Sequence, residues 1–248
     1  FKLASELDQF NKERQILEKD LLQKLLNETK DYSKDPVLVL SGENWHEGII
    51  GIVAARLKDK FNKPVIIISI TDKIGKASAR SIVGFDIGSV IIAATQNKIL
   101  LKGGGHKMAG GFSIKIQDIK KFKEFVFKKF RSINEDIISE KPLYLDSAIS
   151  PAAINLDFYN KVNNLAPFGS GNPEPKFVIE DMKTVNSKIV GEKHIKSVLV
   201  GVDGSSIKTI AFNAVENDLG PYLLKNNNKI FNIAGKLSLN EWKGQSNV

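Results

Sequence analysis

The sequence predicts an α/β domain with a βαβ core, followed by a mainly-β domain built as a small barrel. Three observations carry this. Two apolar runs, Val37–Leu40 and Val65–Ile70, flank a helical pattern over 47–61. Strand, helix and strand in that order imply parallel strands with a right-handed crossover. Beyond the polar stretch Ser132–Pro142, five or six short β-rich runs follow with only two helical patterns between them.

Taken in order, Leu3, Leu7, Phe10, Leu17, Leu21 and Leu25 fall at helical spacing and predict one amphipathic helix over 3–26. Asp35-Pro36 ends that segment, and Val37–Leu40 reads as a buried strand. Ser41–Asn44 reads as a loop. The helix over 47–61 turns Ile49, Ile50, Val53, Leu57 and Phe61 inward and stops before Pro64. Val65–Ile70 is the second strand, Thr71–Gly75 a turn, and Lys76–Ile82 a third strand rich in small residues. A helix over 86–97, a glycine loop at 102–106, a strand over 110–116 and a lysine-rich helix over 118–132 complete the first part. In the second part, strands are expected at 143–149, 177–179, 183–190, 195–202, 207–213 and 229–239, with helices near 155–165 and 215–225. This pattern suggests an OB-fold barrel. Residues 242–248 read as a hairpin whose second strand is cut short.

Composition excludes several classes. The chain has 248 residues and no cysteine, so disulfide frameworks and thiolate chemistry are out, in keeping with a reducing, cytoplasmic setting. No apolar run approaches ~18 residues, which argues against a membrane span. The chain opens at Phe1, inside a helical pattern, and reads as part of a longer protein. Net charge is +8, a balance that favours polyanionic partners. Residues 1–34 are neutral, 35–140 carry 17 basic against 11 acidic groups, and 141–248 carry 12 against 10. Only Arg14, Arg56, Arg80 and Arg131 are arginine among 36 basic residues.

Candidate chemistry centres on anions. Gly103-Gly104-Gly105 permits positive φ and backbone N–H groups turned toward a phosphate, with His106 as a donor or acid–base group; a flexible turn is the competing reading. Ser78, Arg80 and Ser81 could clamp a phosphate through a guanidinium fork and two hydroxyls, or Arg80 could sit in a solvated ion pair. His46-Glu47 starts a helix and could be a ligand pair or a cap. Phe168–Pro175 reads as an ordered, proline-bounded loop. Aromatics such as Tyr144, Phe212, Tyr222 and Trp242, with lysines between them, would suit stacked single strands, although most of the second part's aromatics read as core. The three histidines, at 46, 106 and 194, are far apart, and no Asp-His-His or Asp-x-Asp cluster occurs, so no metal centre is expected.

Gly42–Leu57, Lys76–Ser81 and Gly103–Phe112 together resemble the three signatures of a DHHA1 domain, with Gly110 a mild departure where an alanine is usual. Ala166–Pro175 and Asn240–Gly244 are similar to the OB domain that follows it in the RecJ family of single-stranded-DNA-specific 5′–3′ exonucleases. The resemblance implies a connecting helix over 1–34, a DHHA1 domain over 35–139 and an OB domain over 140–248. It implies a part of a repair and recombination nuclease whose Mn²⁺ or Mg²⁺ ligands lie in a DHH domain absent from this sequence. Ser78 and Arg80 would then hold a phosphate near the 5′ end, with Gly103–His106 supporting the substrate close to the metals; Ser81 and His46 are further phosphate-binding candidates. No metal would be held here, and this part alone would be inactive. Single-stranded DNA, the DHH domain and single-strand-binding protein are the implied partners. Two other readings are a phosphodiesterase of the wider DHH family acting on short oligonucleotides or cyclic dinucleotides, and a non-enzymatic nucleic-acid-binding module.

Overall fold

Parallel strands around a crossover helix do lie within the first unit. In a computed structural model describing residues 2–28, 34–132, 143–169, 171–225, 229–242 and 244–248, the chain divides into two compact units, Phe1–Lys141 and Pro142–Val248. Apart from Ser132, the expected boundary stretch lies outside the described residues. β1 (Leu38–Glu43) pairs in parallel with β2 (Val65–Thr71), and α2 (Glu47–Phe61) connects them. β3 (Ile74–Arg80), β4 (Lys102–His106) and β5 (Ala109–Lys115) add antiparallel strands, giving the order β1-β2-β3-β5-β4.

Each face of this sheet buries a separate apolar cluster. On one side α3 (Ile87–Gln96) and α4 (Ile119–Arg131) cover Val39, Ile66, Ile68, Ala77, Ala79, Phe112 and Ile114. On the other, α2 and the C-terminal half of α1 (Lys2–Glu28) cover Leu38, Leu40, Val65 and Ile67. Only Leu21 and Leu25 of the first helix's expected stripe are buried, while Leu3, Leu7 and Phe10 stay 60–70 % exposed. An ion cluster fixes α1 to α2: buried Glu18 accepts from Arg14 at 2.8 Å on its own helix and from Arg56 on α2.

Two local expectations change. Ser41–Glu43 continue β1 instead of forming a loop, and only Asn44, at φ 57°, leaves the strand. The turn after β2 is shorter than expected. Asp72 and Lys73, both with positive φ, make a two-residue hairpin, so β3 begins at Ile74.

In the second unit, the two strands expected at 177–179 and 183–190 are one, β7 (Phe177–Val190), bent by a register shift between Thr184 and Asn186. β8 (His194–Val200) and β9 (Ser206–Ala211) extend its second half, and β10 (Phe231–Gly235) pairs with its first half. The strand expected at 143–149 is only β6 (Ser147–Ala148), parallel to β7. Among the described residues these pairings form a curled, open sheet rather than a closed barrel. α5 (Leu156–Asn163) and α6 (Leu219–Leu224) stand near the expected positions, and β11 (Asn240–Trp242) pairs with β12 (Gln245–Asn247) as the expected hairpin.

Asp86 caps α3 by accepting from Ser89 N at 3.0 Å, and this hydrogen bond, ahead of the Ser89 hydroxyl and Lys107, holds its carboxyl below the ordinary value of 3.8. A depressed carboxyl stabilises the fold above its unfolded pKa and loses that effect as pH falls through the folded one. Asp86→Ala is therefore expected to lower stability at pH 7 by about 1 kcal/mol or less, given the cap's exposure. Urea titrations should show that difference closing below pH 3.8, and Asp86→Asn should keep most of the cap.

Candidate nucleic-acid interface

Side chains alternate along a strand, and this alternation sorts the first unit's candidate residues. Ala77 and Ala79 enter the core under α3 and α4, which leaves Lys76, Ser78 and Arg80 on the α2 face. Gly51 of α2 confirms the direction. A Cβ added there would stand 3.0 Å from Ser78 Oγ and 3.1 Å from Arg80 Nη2. The register carries this face to the sheet's edge in three rows: Arg80–Ala109–His106, Ser78–Gly111–Gly104 and Lys76–Ser113–Lys102.

Gly103–His106 is thus an edge strand, not a loop, and none of its glycines has positive φ. Glycine is needed for two other reasons. Toward α3, a Cβ on Gly103 would lie 2.7 Å from Ile91 Cγ2, and one on Gly110 would lie 2.5 Å from Ile91 Cδ1. Toward the opposite face, a Cβ on Gly104 would meet nothing within 4 Å, and one on Gly111 only the Ala77 carbonyl at 3.3 Å. Beside Ser78, the middle row is therefore bare backbone at Gly111 and Gly104, rimmed by Arg80 and His106 at one end and by two lysines at the other.

The rim groups are oriented. Arg80 Nη1 donates to Ser78 Oγ at 3.1 Å and to Ala79 O at 2.9 Å. The serine oxygen accepts, so its own O–H remains a donor for a ligand. His106 Nδ1 accepts from Met108 N at 3.3 Å, which puts the proton of a neutral ring on Nε2. Arg14 and Arg56 are committed to Glu18, and Arg131 lies at the end of α4.

Two expected residues stand elsewhere. Ser81 is buried and donates its hydroxyl to Phe85 O at 2.6 Å, so it braces the chain after β3 instead of facing a ligand. His46 is the N-cap of α2, where its Nδ1 accepts from Gly48 N at 3.0 Å. Its neighbour Glu47 pairs with Lys76 at 2.7 Å, four residues along β3 from Arg80. Lys76, Lys102 and Ser113 escaped sequence reasoning because a cross-strand register is needed to bring them together. The alternation in Ala109–Lys115 was the available signal. Among the described residues, no three His, Asp or Glu side chains converge to hold a metal ion.

The second unit offers a different surface. Ile195, Ser197 and Leu199 point inward, so His194, Lys196, Val198 and Val200 face out beside Lys208 and Ile210 of β9 and Lys188 of β7. Phe212 is 66 % exposed, with its ring 5.2 Å from His194. The loop after α5 is held by Asn172, whose Nδ2 donates to Leu165 O and Pro167 O; Ser170 lies outside the described residues.

A DHHA1 family model matches residues 34–132, and a RecJ OB family model matches 145–248. The chain belongs to the RecJ family. It is 28 % identical to the single-stranded-DNA-specific exonuclease RecJ of Bacillus subtilis over 98 % of this chain and 31 % of that protein. It is 29 % identical to the Escherichia coli RecJ over 99 % of this chain and 43 % of that protein. The crystal structure of Thermus thermophilus RecJ in complex with Mn²⁺ superposes with a TM-score of 0.74 at 27 % identity, covering 99 % of this chain and 34 % of that one. The chain thus spans roughly a third to two fifths of the length of these RecJ proteins.

The two roles of glycine separate experimentally. Gly110→Ala is expected to cost about 1–3 kcal/mol by overpacking against Ile91. Gly104→Ala should leave the unfolding midpoint nearly unchanged while weakening phosphate-ligand binding. Paired denaturation and binding titrations check both.

Proposed function

We propose that this chain is the substrate-holding part of a RecJ-type 5′–3′ single-stranded-DNA exonuclease acting in cytoplasmic DNA repair and recombination. The observation that carries the reading is the Arg80–Ala109–His106 row beside Ser78. A guanidinium, a hydroxyl and an imidazole N–H share one face of the sheet, beside the side-chain-free backbone of Gly111 and Gly104. A 5′-phosphate is small, doubly charged and rich in acceptors, and these donors match it. In this reading Gly103, Gly104 and Gly105 shape the floor, and His46 and Ser81 support the fold around it.

Hydrolysis is not assigned to these residues. The Thermus thermophilus RecJ crystal structures are complexes with Mg²⁺ and Mn²⁺, but the donors gathered here are cationic or neutral and do not fit a divalent ion. Metal-dependent attack belongs to residues outside this chain, in a DHH domain. The second unit holds the strand beyond its end. Its outward lysines meet phosphates and Phe212 offers a base a ring. The domain limits of 1–34, 35–139 and 140–248, and contact with single-strand-binding protein, belong to the same proposal.

Binding of the purified chain to a labelled oligonucleotide, with and without a 5′-phosphate at fixed salt, tests this. The phosphorylated strand should bind roughly tenfold tighter, as the added charge-assisted hydrogen bonds predict. Arg80→Ala should abolish that preference, and neither protein should cut the strand in Mn²⁺. Equal affinity for both strands would leave the Arg80 row without its role.

A further inference from the structure

The third row of the open floor has no part in holding a 5′-terminal phosphate, yet it repeats the plan of the first. Arg80 and His106 flank Ala109, and Lys76 and Lys102 flank Ser113. In each case two cationic or protonatable side chains rise from strands on either side of a small central residue. At strand spacings of ~4.8 Å, their Cα atoms stand about 10 Å apart. Long side chains on both flanks then reach one anion above the middle strand. Ser113 is half-buried, with its hydroxyl on the same face. The rows lie four residues apart along β3, about 13 Å. Between them are only Ser78 and the bare backbone of Gly104 and Gly111.

From this geometry, and resting on the reading of the Arg80 row as a 5′-phosphate site, we infer that Lys76, Ser113 and Lys102 form a second phosphate subsite. It takes an internal phosphodiester of the same strand. The floor spans a short run of nucleotides whose sugars lie over glycine. The subsite makes the first unit selective for strand length, because a mononucleotide cannot reach it. Glu47 is its counterweight. This carboxylate pairs with Lys76 at 2.7 Å, with both side chains more than half exposed. A phosphodiester arriving there shares Lys76 with Glu47, whereas no ion pair engages Lys102 among the described residues. Lys102 should therefore contribute the larger part of the affinity.

The test uses 5′-phosphorylated oligonucleotides of one to five nucleotides, titrated against the whole chain by fluorescence anisotropy at several salt concentrations. The wild type should gain affinity several-fold once the strand is long enough to reach the third row. Lys76→Gln/Lys102→Gln should lose that gain while keeping the tighter binding of phosphorylated over unphosphorylated ends. Its salt slope should fall by about 0.7 for each phosphate that the variant no longer neutralises. Lys196→Gln on the second unit serves as the control, and unfolding midpoints confirm that each variant is folded. The inference is overturned if the wild type shows no gain with length, if the double variant keeps the full gain, or if Lys196→Gln alone removes it. Failure of the 5′-phosphate reading looks different. The preference for phosphorylated ends would be missing in every protein, while the length dependence is still read from unphosphorylated strands.

Discussion

How closely α3 can approach β4 governs the binding side of the first unit. A Cβ on Gly88 would lie 2.9 Å from the His106 carbonyl and 3.0 Å from that of Gly105, so helix and strand meet backbone to backbone. Glycine is among the poorest strand formers on propensity alone. Here three in succession run extended: Ile91 fills the space a Gly103 side chain would need, the Ala109 carbonyl and Gly110 Cα fill that of Gly105, and Gly104 faces open space. The hairpin tip is tied as well: Ser81 N donates to Met108 O at 2.8 Å and Ile87 N to Lys107 O at 3.3 Å. His106, on an edge strand, is thereby fixed relative to Arg80 two strands away. A larger residue on the α3 side would push the helix out and release the edge.

On the opposite face the sheet is open over Gly104, and charge is distributed accordingly. Of the four arginines, Arg14 and Arg56 neutralise one buried carboxylate at the α1–α2 contact, where an unpaired Glu18 would be costly. Arg80 instead commits one nitrogen to Ser78 and its own strand's carbonyl. All three histidines use Nδ1 to accept a backbone N–H, from Gly48, Met108 and Asn213. Yet only His106 stands on a row with an arginine opposite. Residue type alone does not separate the three; register does.

That distinction marks what the sequence could convey. The βαβ unit, α2 from Glu47 to Phe61, and the helices α3 and α4 were legible because apolar periodicity and caps are local signals. Gly103–His106 and Lys76–Ser81 stood out as local signatures for similar reasons, and the structure sets them along β4 and β3 on either side of β5. Reading the glycines as a loop failed because propensity was overridden by contact with α3, a tertiary effect with no local trace. Adjacency groups Ser81 with Ser78 and Arg80, although alternation separates neighbours and the burial of Ser81 follows from it. In the second unit, one bent strand reads as two because Asp181, at φ 53°, and the shift at Thr184 interrupt its pattern. Leu143–Ile149 resembles a strand on composition, but most of it finds no ladder partner among the described residues.

In the proposed reading, the two units meet anions by unlike means. On the first, Arg80 is already oriented by Ser78 Oγ and Ala79 O, and His106 by Met108 N, so a ligand finds donors whose freedom was lost on folding. Such preorganisation favours a group of fixed shape, as a terminal phosphate is. On the second, Lys188, Lys196 and Lys208 stand on an exposed sheet face among Val198, Ile210 and Phe212. Flexible ammonium groups over an apolar surface suit a repeating backbone at many positions and read no single one. Geometry fixed before binding can discriminate an end, while mobile charge can retain a strand as it shifts. In the proposed reading, an enzyme that shortens DNA from one end draws on both, and the two fall on separate units with separate cores.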